Sequence, residues 1–164
     1  MFSMKNKIFA LLSMVFLLFA VSSCNKITGE DEADTLYVKF ENESASEYTI
    51  TTIEIRSRGL VDQADQPIGA WSGNLLTGGL TLAPGEHTFF TLDIPNQEWS
   101  EYRIGVNDGG TTVMVGLNDD VGVDSELPIT HWGGDDRTVS VLVRYNATYD
   151  VIYISGWSDW VGID

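Results

Sequence analysis

The chain is poor in several residue types. It has one cysteine, two histidines, four prolines and nine lysines and arginines in 164 residues. A lone cysteine has no partner, so no disulfide forms within the chain. Nine basic residues face 24 acidic ones, for a formal charge of −15. Nucleic-acid binding is disfavoured, because phosphate contacts need a basic surface. Docking on an anionic bilayer face is disfavoured for the same reason. No Gly-x-Ser-x-Gly elbow, His-Glu-x-x-His pair or phosphate loop occurs. Helical periodicity is nowhere sustained after the first segment.

The one long apolar run is Ile8 to Val21, broken only by Ser13 and preceded by Lys5 and Lys7. Fourteen residues of helix rise about 21 Å, short of the ~30 Å hydrocarbon core. A cleavable export signal fits better than a membrane span. Small residues, Ser22 and Ser23, follow the run, and Cys24 comes next. Val21-Ser22-Ser23-Cys24 resembles the lipobox of bacterial lipoproteins, with valine at the position more often held by leucine. The resemblance implies that residues 1–23 are removed and that the Cys24 thiol carries a diacylglyceryl group. Two or three acyl chains at roughly 0.8 kcal/mol per CH₂ contribute on the order of 20 kcal/mol gross. Such an anchor needs no transmembrane helix. The alternative is an ordinary signal followed by a free or buried cysteine. With Cys24 acylated, no thiolate remains for a zinc site.

Loss of Lys5 and Lys7 leaves seven basic residues against 24 acidic ones, a formal −17 for the mature chain. Residues 24–34 read as the lipidated cysteine and a solvated acidic tether, carrying Glu30, Asp31, Glu32 and Asp34. Acidic residues soon after the cysteine resemble the surface-export signal of Bacteroidota lipoproteins. That implies outer-membrane attachment with display at the cell surface. The alternative is a spacer on the periplasmic face.

Residues 35–164 alternate short β-type runs with turn clusters. The runs are Leu36–Phe40, Tyr48–Arg58, Leu80–Leu82, His87–Asp93, Tyr102–Val106, Thr111–Leu117, Arg137–Tyr145 and Val151–Ser155. The apolar phase slips between Ile50 and Ile53, which predicts a bulge. Pro84-Gly85 predicts a type II turn. Asn107-Asp108-Gly109-Gly110 predicts a hairpin, with Ile104, Val106, Val113, Val115 and Leu117 facing inward. Val139, Val141, Val143 and Tyr145 share one face. Seven or eight short strands predict an all-β fold, a single antiparallel β-sandwich. Trp71-Ser72-Gly73-Asn74-Leu75-Leu76, Pro84-Gly85-Glu86 and Tyr102-Arg103-Ile104 resemble a Trp-Gly-x-x-Leu-Leu patch, Pro-Gly-Glu turn and Tyr-Asp-x-Arg strand of small secreted β-sandwich domains. Ser72 is an insertion relative to that pattern, and the resemblance implies a fold, not an activity.

Three constellations could carry function. Trp71, Trp132, Trp157 and Trp160 sit beside or near glycine or serine; they serve either as loop platforms for sugar rings or as core plugs. Asp119, Asp120, Asp124 and Glu126 offer oxygen ligands for Ca²⁺, though not at EF-hand spacing. The alternative there is a solvated acidic loop. His131, beside Trp132 and near Asp135, is the one candidate for hydrolytic chemistry, which would need a serine and a carboxylate at hand. Asn42-Glu43-Ser44 and Asn146-Ala147-Thr148 match a glycosylation pattern but read as turns. The leading expectation is a non-enzymatic, lipid-anchored module that binds an envelope component. A carbohydrate-binding module and, less favoured, a hydrolase are the alternatives.

Overall fold

The computed structural model describes residues 35–62, 69–117 and 125–163. The expectations for the signal, Cys24 and the tether lie outside these residues, as do those for Asp119, Asp120 and Asp124. The described residues are all-β, with nine strands in two sheets and no helix. One sheet has the order β3 (His87–Leu92), β1 (Leu36–Asn42), β8 (Asp136–Asn146), β9 (Val151–Val161) and β6 (Gly116–Leu117). The other has the order β2 (Ile50–Leu60), β4 (Glu98–Asp108) and β5 (Thr111–Met114); β7 (Leu127–Thr130) pairs with β4 as well.

Alternation accounts for the sandwich. Leu36, Val38 and Phe40 project inward from β1, Val139, Val141 and Val143 from β8, and Tyr102, Ile104 and Val106 from β4; all nine are buried. Phe40 joins the layers. Its ring meets Tyr102 edge-on at 5.3 Å and Phe90 at 5.6 Å. The register shift between Ile50 and Thr52 is the bulge that the apolar slip predicts. Glu86 N–H donates to the Ala83 carbonyl at 2.9 Å, and Gly85 has φ +83°, the geometry of a type II turn. Gly109 and Gly110 both have positive φ between the paired residues Asp108 and Thr111, which matches hairpin twist.

Five of the seven described ladders are antiparallel, while β1–β8 and β6–β9 are parallel. Local turns set hairpins, but β1 leads into the opposite sheet, so its neighbour β8 is chosen by core packing. Strand β9 runs past Ser155 to Val161. A register shift opposite Leu142 and Val143 places one extra residue in β9 and lets pairing resume at Gly156. Val113 shares the inward phase of its partner Val106, yet it is 36% exposed, because β5 is an edge strand beyond the cover of the other sheet. Tyr145 is exposed for a similar reason at the end of β8, where its hydroxyl donates to Asp150 Oδ1 at 2.6 Å.

Asn42 is more than a turn residue. It is fully buried, and its Nδ2 donates to the Tyr48 and Leu82 carbonyls, both at 2.9 Å. The Trp71–Leu75 segment caps the free edge of β2. Ser72 N–H donates to the Ile55 carbonyl and Leu75 N–H to the Ile53 carbonyl. The β2 amides of Ile55 and Ile53 donate in return to Ser72 Oγ and Asn74 Oδ1, each at 3.0 Å. The inserted Ser72 therefore closes a ladder position with its side chain.

Candidate functional site

The outer face of the five-stranded sheet carries an aromatic strip. Pairing aligns Phe89, Lys39, Thr138 and Trp160 in one row across four strands, with Thr91, Tyr37 and Asp136 in the next. Phe89 is 56% exposed, Tyr37 53% and Trp160 38%. Three strand spacings separate Phe89 from Trp160, about 14 Å. Lys39 lies almost buried between them, with its Nζ 2.8 Å from Glu41 Oε2, so the row is close to neutral. Hydroxyls share this face: Thr91, Thr138, Ser140 and Ser158. Ser140 Oγ and Ser158 Oγ are 2.8 Å apart, and Thr138 Oγ1 donates to the Gly162 carbonyl at 2.8 Å. His87 packs edge-on against Phe89 at 5.3 Å and extends the aromatic edge. Exposed rings with hydroxyls beside them form a surface suited to the C–H face of a sugar ring.

The four tryptophans singled out from sequence are not gathered into one site. Trp160 lies on the strip, on a strand rather than a loop. Trp132 is 59% exposed in the connection after β7; its carbonyl accepts a long 3.5 Å bond from Arg137 Nη2. That connection passes the end of β9, where a Cβ placed on Gly134 would lie 2.8 Å from Val161 Cγ1. Trp157, also on β9, pairs with Val141 and so has the inward phase, opposite to Trp160. It lines a small cleft with Leu117, Ile154, Ser155 and Gly156. Trp71 lies on the outer side of the other sheet, with the Arg56 and Arg103 guanidiniums 4.2 and 4.4 Å from its ring centre. Trp71 is therefore a packing element. The sequence reading missed Tyr37 and Phe89. Strict alternation in Leu36-Tyr37-Val38 puts Tyr37 outward, and of the adjacent Phe89 and Phe90 only one can face the core.

Beneath Trp71, Glu101 is 4% exposed and accepts from Arg56 Nε at 3.2 Å and Arg58 Nη1 at 2.8 Å, both on Oε1. Arg58 stacks on Trp99 at 4.7 Å. Arg103 pairs with Glu54. Glu126, one of the four calcium candidates, bonds to Arg56 Nη2. Among the described residues no group of three or more His, Cys, Asp or Glu side chains gathers as a metal site.

Between the sheets at the β7 end lies a buried polar group. His131 has no exposed surface; its Nδ1 is 2.5 Å from the Ile94 carbonyl, and its Nε2 is 3.6 Å from Asp135 Oδ1. Sealed in this way, His131 reaches no substrate from solvent. Asp159 Oδ2 accepts from Thr130 N–H and Oγ1. Arg137 Nε stands 3.9 Å from Asp159 Oδ1, a charge contact too long for a hydrogen bond. Burial, then the Asp159 charge, pushes the Tyr102 hydroxyl well above its usual range. Burial also raises the Asp159 carboxyl above its ordinary 3.8, against the lowering effects of Thr130 and Arg137.

The folded state thus holds the Asp159 proton more tightly than the unfolded chain does. Its contribution to stability is largest at low pH and is lost as pH rises through the folded value. The stability of the native protein minus that of Asp159→Asn is expected to fall as pH rises from about 4, then level off. Urea unfolding at several pH values checks this; a constant difference would refute it.

No family model matches the chain, and no curated protein matches it either. Among solved structures it is similar to the cytotoxin suilysin from Streptococcus suis, at 15% identity and a TM-score of 0.35, over 77% of this chain and 23% of that one. It is also similar to a structure described as "Trapped Toxin", at 10% identity and a TM-score of 0.36, over 79% and 24%. The chain spans about a quarter of the length of these proteins. Likeness at this level carries no argument about function.

Proposed function

We propose that the chain is a lipid-anchored, non-enzymatic binding module of the outer membrane, displayed at the cell surface, and that its ligand is a glycan held on the aromatic strip. The observation that carries this reading is the exposure of Tyr37, Phe89 and Trp160 together on one solvent-facing sheet surface. A contiguous exposed patch of large apolar side chains marks an interaction site more often than chance exposure. Hydroxyls from Thr91 and Ser158 stand beside the rings to meet sugar hydroxyls. The anchor rests on the lipobox at Cys24. No helix among the described residues is long and apolar enough to cross a membrane.

The test is a titration of the mature protein with soluble β-glucan, xylan and mannan, followed by tryptophan fluorescence and thermal shift. One polysaccharide is expected to raise the melting temperature, as any ligand selective for the native state must. Trp160→Ala is expected to weaken that binding about tenfold, or 1.4 kcal/mol. Trp132→Ala, in the connection after β7 rather than on the strip, should have a smaller effect. If no polysaccharide shifts either signal, or if Trp160→Ala binds like the native protein, the glycan reading is wrong.

A further inference from the structure

We infer that β3 is a docking edge for an extended segment of another protein, which adds as a sixth strand beside it and places one apolar side chain in the cleft at its end. β3 terminates its sheet, and among the described residues no backbone partner lines its other side. The remaining sheet ends are managed. β2 is capped by Ser72 and Asn74 as described, while β5 and β7 have four residues each and β6 two. Capping and shortness are the usual protections of an edge. β3 has neither: it runs six residues, His-Thr-Phe-Phe-Thr-Leu, with no lysine and no proline. An unpaired row of N–H and C=O groups specifies an extended chain as its complement.

Where β3 ends, the gap between the sheets stays open as a cleft of about 260 Å³. Ile55 and Leu75 form one wall, Leu92 and Ile94 the other, with Ser57 and Ser100 on its polar side. A strand added to β3 would direct alternate side chains toward this gap, and the position opposite Leu92 opens on the cleft. The volume suits one leucine, isoleucine or methionine rather than a drug-sized molecule.

Charge selects the occupant. The chain is strongly acidic, which sets a second copy against itself. Glu86 and the exposed Asp93 bracket β3 at its two ends. The partner segment is therefore of alternating apolar and polar residues flanked by lysine or arginine. This inference is independent of the glycan reading, because the added strand uses the edge of the sheet rather than its face.

The probe is a short synthetic peptide of alternating valine and threonine with a central leucine and a lysine at each end. It is added to the mature full chain, and amide hydrogen exchange is followed by mass spectrometry. The peptide is expected to slow exchange across residues 87–92 at least threefold. N-methylation of alternate peptide amides, or Ser57→Phe, which fills the cleft from an exposed position, is expected to raise the peptide concentration needed for this protection about tenfold. Trp160→Ala should leave it unchanged. Three results would overturn the inference: no protection at millimolar peptide, protection undiminished by N-methylation, or protection of the free protein at high concentration together with dimer formation, which would make a second copy the occupant.

Discussion

Cys24→Ser is expected to move the protein from the membrane pellet to the soluble fraction almost completely. Serine cannot form the thioether through which the proposed anchor would be attached. The chain would then lose a gross apolar contribution on the order of 20 kcal/mol. The folded domain does not compensate, since its acidic balance is repelled rather than held by anionic lipid. Membrane fractionation of cells expressing the native and substituted chains, with mass spectrometry of the mature N-terminus, checks the point. A native protein with a bare thiol, or a serine variant that still pellets with membranes and resists salt extraction, would remove the anchor from the account.

Glu101→Ala is expected to cost about 3 kcal/mol of stability. Glu101 is buried between Arg56 and Arg58, and one of its oxygens takes a hydrogen bond from each. Its loss leaves two guanidiniums, 15% and 24% exposed, facing each other without the charge that separates them. Partial solvent access to both arginines keeps the figure at the low end of the range for breaking a buried pair. The guanidiniums also lie over Trp71 and Trp99, so tryptophan emission should shift as the stacks loosen. Urea unfolding measures the first effect and fluorescence the second. A cost below about 1 kcal/mol would place this lattice with ordinary surface ion pairs. Glu101→Gln should fall between alanine and the native residue, because the amide oxygen still accepts a hydrogen bond while the charge is gone.

Much of the architecture was legible. The Ile50 bulge, the Pro84-Gly85 turn and the Gly109-Gly110 hairpin each follow from neighbouring residues, because φ preference and alternation act over a few positions. The inward phase of Val139, Val141 and Val143 was legible for the same reason. Strand β9 was underestimated because Gly156 and Ser158 dilute its β signal, while the pairing with β8 that sustains Gly156–Val161 comes from residues 14 to 24 positions earlier. Trp157 and Trp160 therefore looked like loop residues. Glu126 looked like a candidate ion ligand because its partner, Arg56, lies 70 positions away.

By itself the sequence determined the acidic charge, the all-β class and the local turns, all of which depend on composition or on residues close in the chain. Only the tertiary structure decided which aromatic side chains meet solvent together, which edge of which sheet is left open, and which arginine holds which glutamate. Those outcomes depend on strand order and register. Strand order is set by how the two apolar faces close over Phe40 and Tyr102, a contact between residues 62 positions apart that no local pattern encodes.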